Sequence, residues 1–121
     1  MSDLLLDINL QNLPDNYFEG EWQVASRVLN RNDAGSPLAV AGRVVLQPGK
    51  LQTESPDGQA HAAGEWGIMR DELLNRPYLR FELPAEQTRA LVTRLRRSAD
   101  GLRSQLFLYF SSGMEMQLER P

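Results

Sequence analysis

No cysteine occurs among the 121 residues, which removes disulfides, thiolate metal sites and cysteine nucleophiles together and agrees with a reducing compartment. Lysine is almost missing too: twelve of the thirteen basic residues are arginine. Positive charge is therefore carried by fixed, forked groups suited to carboxylates or phosphates, although a high-GC genome also enriches arginine. The single histidine, His61, follows Ser55-Pro56-Asp57-Gly58 in a polar stretch with no acid or cysteine at ligand spacing, so neither a metal site nor a histidine-centred catalytic site is expected. Glycines stand singly at turns, without a phosphate loop or a dinucleotide fingerprint. Asp71 and Glu72 are neighbours that diverge on a strand, which leaves no acid and base pair to argue. The chain reads as non-enzymatic and free of cofactors. Long apolar runs are also absent, Leu4–Leu6 and Leu106–Phe110 falling far short of the roughly 18 residues of a spanning helix, and the N-terminal residues lack the pattern of a secretory signal. No membrane insertion and a cytoplasmic location are the expectations.

What is present suits one folded domain over residues 1–121. Hydrophobic residues make up 41% and charged residues 24% of the sequence, ordinary values for a globular chain. The net charge of −3 is unevenly spread: Met1–Trp66 holds nine acids and four bases, whereas Gly67–Pro121 holds seven acids and nine arginines.

Turn residues punctuate the chain between stretches of alternating polarity. Residues 1–16 form an N-terminal arm or short helix, since Leu4, Leu5, Leu6, Ile8 and Leu10 satisfy helix and strand templates equally, and Leu13-Pro14-Asp15-Asn16 then breaks the run. From Glu21 the side chains of Trp22, Val24, Ser26 and Val28 point one way and those of Gln23, Ala25 and Arg27 the other. After the turn-rich Asn30–Pro37, the alternation of Leu38, Val40, Val44 and Leu46 predicts a strand with a bend at Gly42. Pro48-Gly49 and Ser55-Pro56-Asp57-Gly58 bracket a short strand at Lys50–Glu54. Further strands are expected at Gly64–Arg70, at Tyr78–Leu83 with Leu79, Phe81 and Leu83 on one face, and at Leu102–Phe110. The last run, Met114–Glu119, follows Ser112-Gly113 and pairs with its predecessor as a terminal hairpin. Residues 85–98 fit a helix opened by Pro84 and also a strand in which Leu91, Thr93 and Leu95 share a face. Asp100-Gly101 between two alternating runs favours the strand, as one arm of a hairpin. About eight short strands with turn signals every 8 to 12 residues define an all-β fold. A small antiparallel up-and-down barrel is preferred because closure removes exposed edges.

Gly20-Glu21-Trp22 recurs as Gly64-Glu65-Trp66, a short echo that the common needs of strands can produce. At the head of the first long strand, Gly20-x-Trp22 resembles the glycine-x-tryptophan signature of the lipocalins and the wider calycin class. The resemblance implies that Trp22 closes the barrel floor and that an arginine ending the last strand packs across its indole. Arg120, in phase with Met114, Met116 and Leu118, is the residue so placed, and a guanidinium over an indole is favourable. Phe18-x-Gly20-x-Trp22, Pro77-Tyr78-Leu79-Arg80 and Glu119-Arg120 are similar, more loosely, to the phycobiliprotein chromophore lyases of that class, which implies a bilin as the third functional reading.

Two further readings rest on the faces of the strands. In the first, the interior lined by Trp22, Val24, Val44, Leu79, Phe81, Leu106, Leu108, Met114 and Met116, with Arg120, holds a small apolar or amphipathic ligand, methionine suiting an irregular cavity. In the second, the barrel is filled and acts as an interaction or assembly module. Arg94, Arg96 and Arg103 would then share the outer face with Phe107 and Tyr109, apolar bulk that asks for a partner, either another protein or a second copy. The net negative charge argues against nucleic acid.

Overall fold

The computed structural model describes residues 5–29, 37–84 and 86–120. Period-two alternation becomes wall geometry most plainly in the middle of the chain. Leu79, Phe81 and Leu83 of Pro77–Leu83 are buried while Arg80 is exposed, and Ser104, Leu106, Leu108 and Phe110 of Ser104–Phe110 repeat the pattern. Among the described residues nine strands result: β1 Leu5–Asp7, β2 Gly20–Val28, β3 Arg43–Gln47, β4 Lys50–Glu54, β5 Ala60–Arg70, β6 Pro77–Leu83, β7 Glu86–Ser98, β8 Ser104–Phe110 and β9 Glu115–Arg120. Each of β2 to β9 pairs antiparallel with the next, and β9 returns to β2, which closes an eight-stranded up-and-down barrel. β1 is an addition, laid on the part of β7 that β6 leaves uncovered, with Leu5 opposite Ser98 and Asp7 opposite Arg96.

Residues 86–98 are thus a strand, and the turn at Asp100-Gly101 makes the hairpin to β8, with Gly101 at φ +77°. Ser98 Oγ donates to Asp100 Oδ1 at 2.5 Å and the amide of Leu102 donates to the same oxygen at 3.0 Å. Such a left-handed turn position suits glycine because it lacks a Cβ.

Several sequence expectations change on folding. The ladder between β7 and β8 slips at Thr93, so that Val92 faces Leu108 and Arg94 faces Phe107. One extra residue resets the alternation, so Ala90, Val92 and Leu95 point inward and Leu91 and Thr93 do not share a face with Leu95. A second bulge, at Ala25 in β2, turns Arg27 inward opposite Met116 and leaves Val28 outside. Leu38 and Val40 belong to a short helical turn, α1 (Pro37–Val40), not to a strand, and β3 starts at Arg43. Gly42 just before it has no room for a side chain, since a Cβ would lie 2.8 Å from Pro56 Cα. β5 begins at Ala60, which places the backbone of His61 in a strand and Gly64 in mid-strand, while Leu102 belongs to the loop before β8. Residues 1–4 of the expected arm, with Leu4, residues 30–36 of the expected turn-rich loop, and Ala85 lie outside the described residues.

Both ends of the barrel are covered. At one end the arm runs through β1 and two 3-10 turns, Leu10–Asn12 and Asp15–Phe18, and buries Leu13 and Phe18. Arginines hold its backbone: Arg70 donates to the carbonyls of Leu10 at 3.0 Å and Leu13 at 2.5 Å, and Arg96 to that of Leu5 at 3.4 Å. At the other end Leu38 and Ala41 join the core, and Arg27 donates to the carbonyls of Leu38, at 2.8 Å, and Ala41. Burial there pushes the Arg27 guanidinium down from its ordinary pKa.

Candidate interaction surface

Of the ten residues expected to line the interior, Trp22, Val44, Leu79, Phe81, Leu106, Leu108, Met114 and Met116 are buried in one contiguous apolar cluster, and Val24 packs against it half-buried. Leu46, Leu51, Trp66, Phe110 and Leu118 share that cluster. Phe81 and Phe110 stack across the core with ring centroids 5.8 Å apart. The interior is therefore occupied by the protein's own side chains, in the manner of small barrels whose inward residues meet at the axis.

Arg120 stands where the resemblance put it. Its guanidinium carbon lies 4.1 Å from the centre of the Trp22 ring and 4.9 Å from that of Tyr17. Its two terminal nitrogens donate to the carbonyls of Glu19 at 2.7 Å and Tyr17 at 2.9 Å, while Trp22 Nε1 donates to the carbonyl of Phe18 at 2.9 Å. Gly20 belongs to the same device, because its φ is +131° and a Cβ there would come within 3.0 Å of Arg120 Nη1. Trp66 in the echoed segment has another role: its Nε1 donates to the carbonyl of Gln47 at 2.5 Å, and no arginine stacks on it among the described residues.

Outside the wall, the registers of β5 to β9 and β2 assemble a row that no single strand shows. Met69 pairs with Tyr78, Tyr78 with Leu91, Leu91 with Tyr109, Tyr109 with Glu115, and Glu115 with Val28. All six point outward, and Met69, Tyr109 and Val28 are 46%, 49% and 62% exposed. The next row runs Arg94, Phe107, Gln117, Ser26. Arg94 lies 5.9 Å from the Phe107 ring and Arg89 6.0 Å from the Tyr78 ring. A groove of about 200 Å³, bordered by Val28, Thr93, Phe107, Tyr109, Glu115 and Gln117, opens between the two bulges.

The five residues expected at the interface separate into three settings. Arg94, Phe107 and Tyr109 stand together on this wall. Arg96 is half-buried and committed to the arm, bonding Leu5 and lying 3.9 Å from Asp7. Arg103 sits at the foot of the wall in a small recess with Gln23, Gln105 and Glu119. Sequence reasoning missed Leu91 and Val28, assigned to inner faces, and Tyr78, Met69 and Glu115, which reach the row only through register. Spacing held one signal: Val92 and Leu95 are three apart, not two, with Thr93 and Arg94 between them, which is how a bulge is written in a sequence.

The chain matches no protein-family model, no curated protein and no solved structure. Among the described residues no three histidines, cysteines or acids come together as a metal site, and no helix is long and apolar enough to cross a membrane.

Proposed function

We propose that this protein is an interaction module that binds another protein chain through the outer wall formed by β5 to β9 and β2. The observation that carries the reading is the outward row Met69, Tyr78, Leu91, Tyr109 and Val28, flanked by Phe107 and bordered by Arg89 and Arg94. An apolar band from Met69 to Tyr109, continued beyond Glu115 by Val28 and flanked by arginine, has the composition of an interface hot spot, and it is uncommon on a surface that only meets water. A filled interior supports the same reading, because a barrel without space offers its outside. The experiment is site-specific photo-crosslinking in cells, with a photoreactive side chain at Tyr109 or at Gln52, which lies outward on β4 across the barrel. A discrete protein adduct from Tyr109 alone is expected. Equal adducts from both positions, or none from either, would count against an interface on this wall.

A calycin-like ligand barrel is the second reading, supported by the stacking of Arg120 on Trp22 at the closed end. A ligand inside would have to displace Phe81, Phe110 or the methionines. Native mass spectrometry of the purified protein tests it, since a retained small molecule would favour this reading over the module. The bilin lyase reading draws no further support from the geometry or the comparisons.

A further inference from the structure

We infer that the partner on this wall is a second copy of the chain, related by a twofold axis running along β8; the inference rests on reading the wall as a protein interface. Charge is divided by sign across β8. On the β7 side the outward residues of this wall are Arg89, Leu91, Thr93 and Arg94; on the β9 side the residue level with Leu91 is Glu115, with Tyr109 between them. Among the described residues, Arg89 forms no ion pair with a carboxylate and Glu115 none with a cation, although Glu115 stands in the middle of an apolar row. Besides its contact with the Phe107 ring, Arg94 has among the described residues a single ion pair, with Asp7 at 3.4 Å, the two side chains being 56% and 67% exposed. Such a pair exchanges at little cost.

Neighbouring strands lie about 4.8 Å apart, so β7 and β9 flank β8 symmetrically. A twofold axis along β8 therefore lays β7 of one copy over β9 of the other. Leu91 then covers the partner's Glu115, with Arg89 and Arg94 on either side of that carboxylate, and Phe107 and Tyr109 meet their own copies near the axis. Both halves of the charge complement are carried by one chain, and the contact is made twice, as an isologous interface requires. A twofold axis across the strands would instead stack β7 on β7 and set arginine against arginine. The geometry thus selects one axis, and its charge pattern fits a second copy without a further partner.

The test uses the full chain and two single charge reversals, Arg89→Glu and Glu115→Arg, both on exposed side chains, with far-UV circular dichroism confirming the fold. Sedimentation equilibrium up to about 200 µM should show the wild-type protein as a dimer, and each variant alone should dimerise at least about tenfold more weakly, because like charges now face each other. Mixing the two variants should restore dimerisation, since the introduced glutamate of one copy then faces the introduced arginine of the other, and the unaltered Glu115 faces the unaltered Arg89. A wild-type protein that stays monomeric overturns the inference. So does a wild-type dimer whose variants fail to combine on mixing. A monomer that still gives a Tyr109 adduct with a different protein overturns the second copy while leaving the interface on this wall standing.

Discussion

Trp22 and Arg120 offer a closed thermodynamic test of the barrel floor, through Trp22→Leu, Arg120→Met and the double variant. Trp22 is fully buried and its Nε1 is bonded to the carbonyl of Phe18. Truncation of such a residue to alanine costs about 3 to 5 kcal/mol, and leucine recovers about 1 of these. Arg120→Met keeps the stem but removes two hydrogen bonds to half-buried carbonyls, worth about 1 kcal/mol each, and a stacking contact worth about 1 kcal/mol. Each single change should therefore cost about 2 to 4 kcal/mol, and they share the stacking contact, so the double variant should be less destabilised than their sum by about 1 kcal/mol. Urea denaturation followed by far-UV circular dichroism and by the fluorescence of Trp66, which all variants retain, provides the assay. With a slope of about 1.5 kcal/mol/M, the coupling amounts to a midpoint difference of about 0.7 M. Additivity within about 0.3 kcal/mol would mean that guanidinium and indole do not interact, and the reasoning about the floor would fail. A Trp22→Leu cost below about 1 kcal/mol would mean that the indole is not core.

Two further outcomes follow from local geometry. Gly64→Ala places a Cβ well inside contact distance of the carbonyl oxygen of Glu82 and 3.0 Å from its carbonyl carbon, so the strand must shift and stability should fall by about 1 to 3 kcal/mol or more; a thermal midpoint equal to wild type would refute the close approach of β5 and β6. Three turn carboxylates should shape the acid limb of stability. The hydroxyl of Ser55 holds Asp57, the amide of Leu74 holds Asp71, and the hydroxyl of Ser98 holds Asp100, each below the usual carboxylate range. Because the folded pKa lies under the unfolded one, their contribution is complete above about pH 4 and disappears as pH falls through the folded values. Urea midpoints between about pH 2 and pH 6 should fall on acidification, and Asp71→Asn with Asp100→Asn should flatten the limb. A wild-type midpoint that rises on acidification would reverse the sign of the argument.

Local rules reached as far as local causes extend. Alternation within β4, β6 and β9 needs only the pleat and a core on one side. The turns at Pro48-Gly49, Asp100-Gly101 and Ser112-Gly113 follow from residues that tolerate left-handed or fixed backbone angles. Arg120 was placed against Trp22 by its phase along β9 and by a family resemblance, and the 4.1 Å stack agrees with it. The outer wall was legible only in part: Phe107, Tyr109 and Arg94 share a phase that the sequence displays, whereas Glu115 and Met69 join them through pairing registers fixed by the whole ring.

From its sequence alone this protein is an all-β chain whose inward and outward residues can be assigned wherever the period of two is unbroken, since that period is a property of the backbone itself. Tertiary structure decided the rest. Closing eight strands into a small ring requires local bends, and bulges at Ala25 and Thr93 supply them, moving Arg27 inward and Leu91 and Val28 to the surface. The arm, equally suited to helix and strand, became β1 and two 3-10 turns because β7 offered an unpaired edge and Arg70, Arg96 and Arg120 offered donors to its carbonyls. Each choice depends on partners far away in the chain, which a local pattern does not contain.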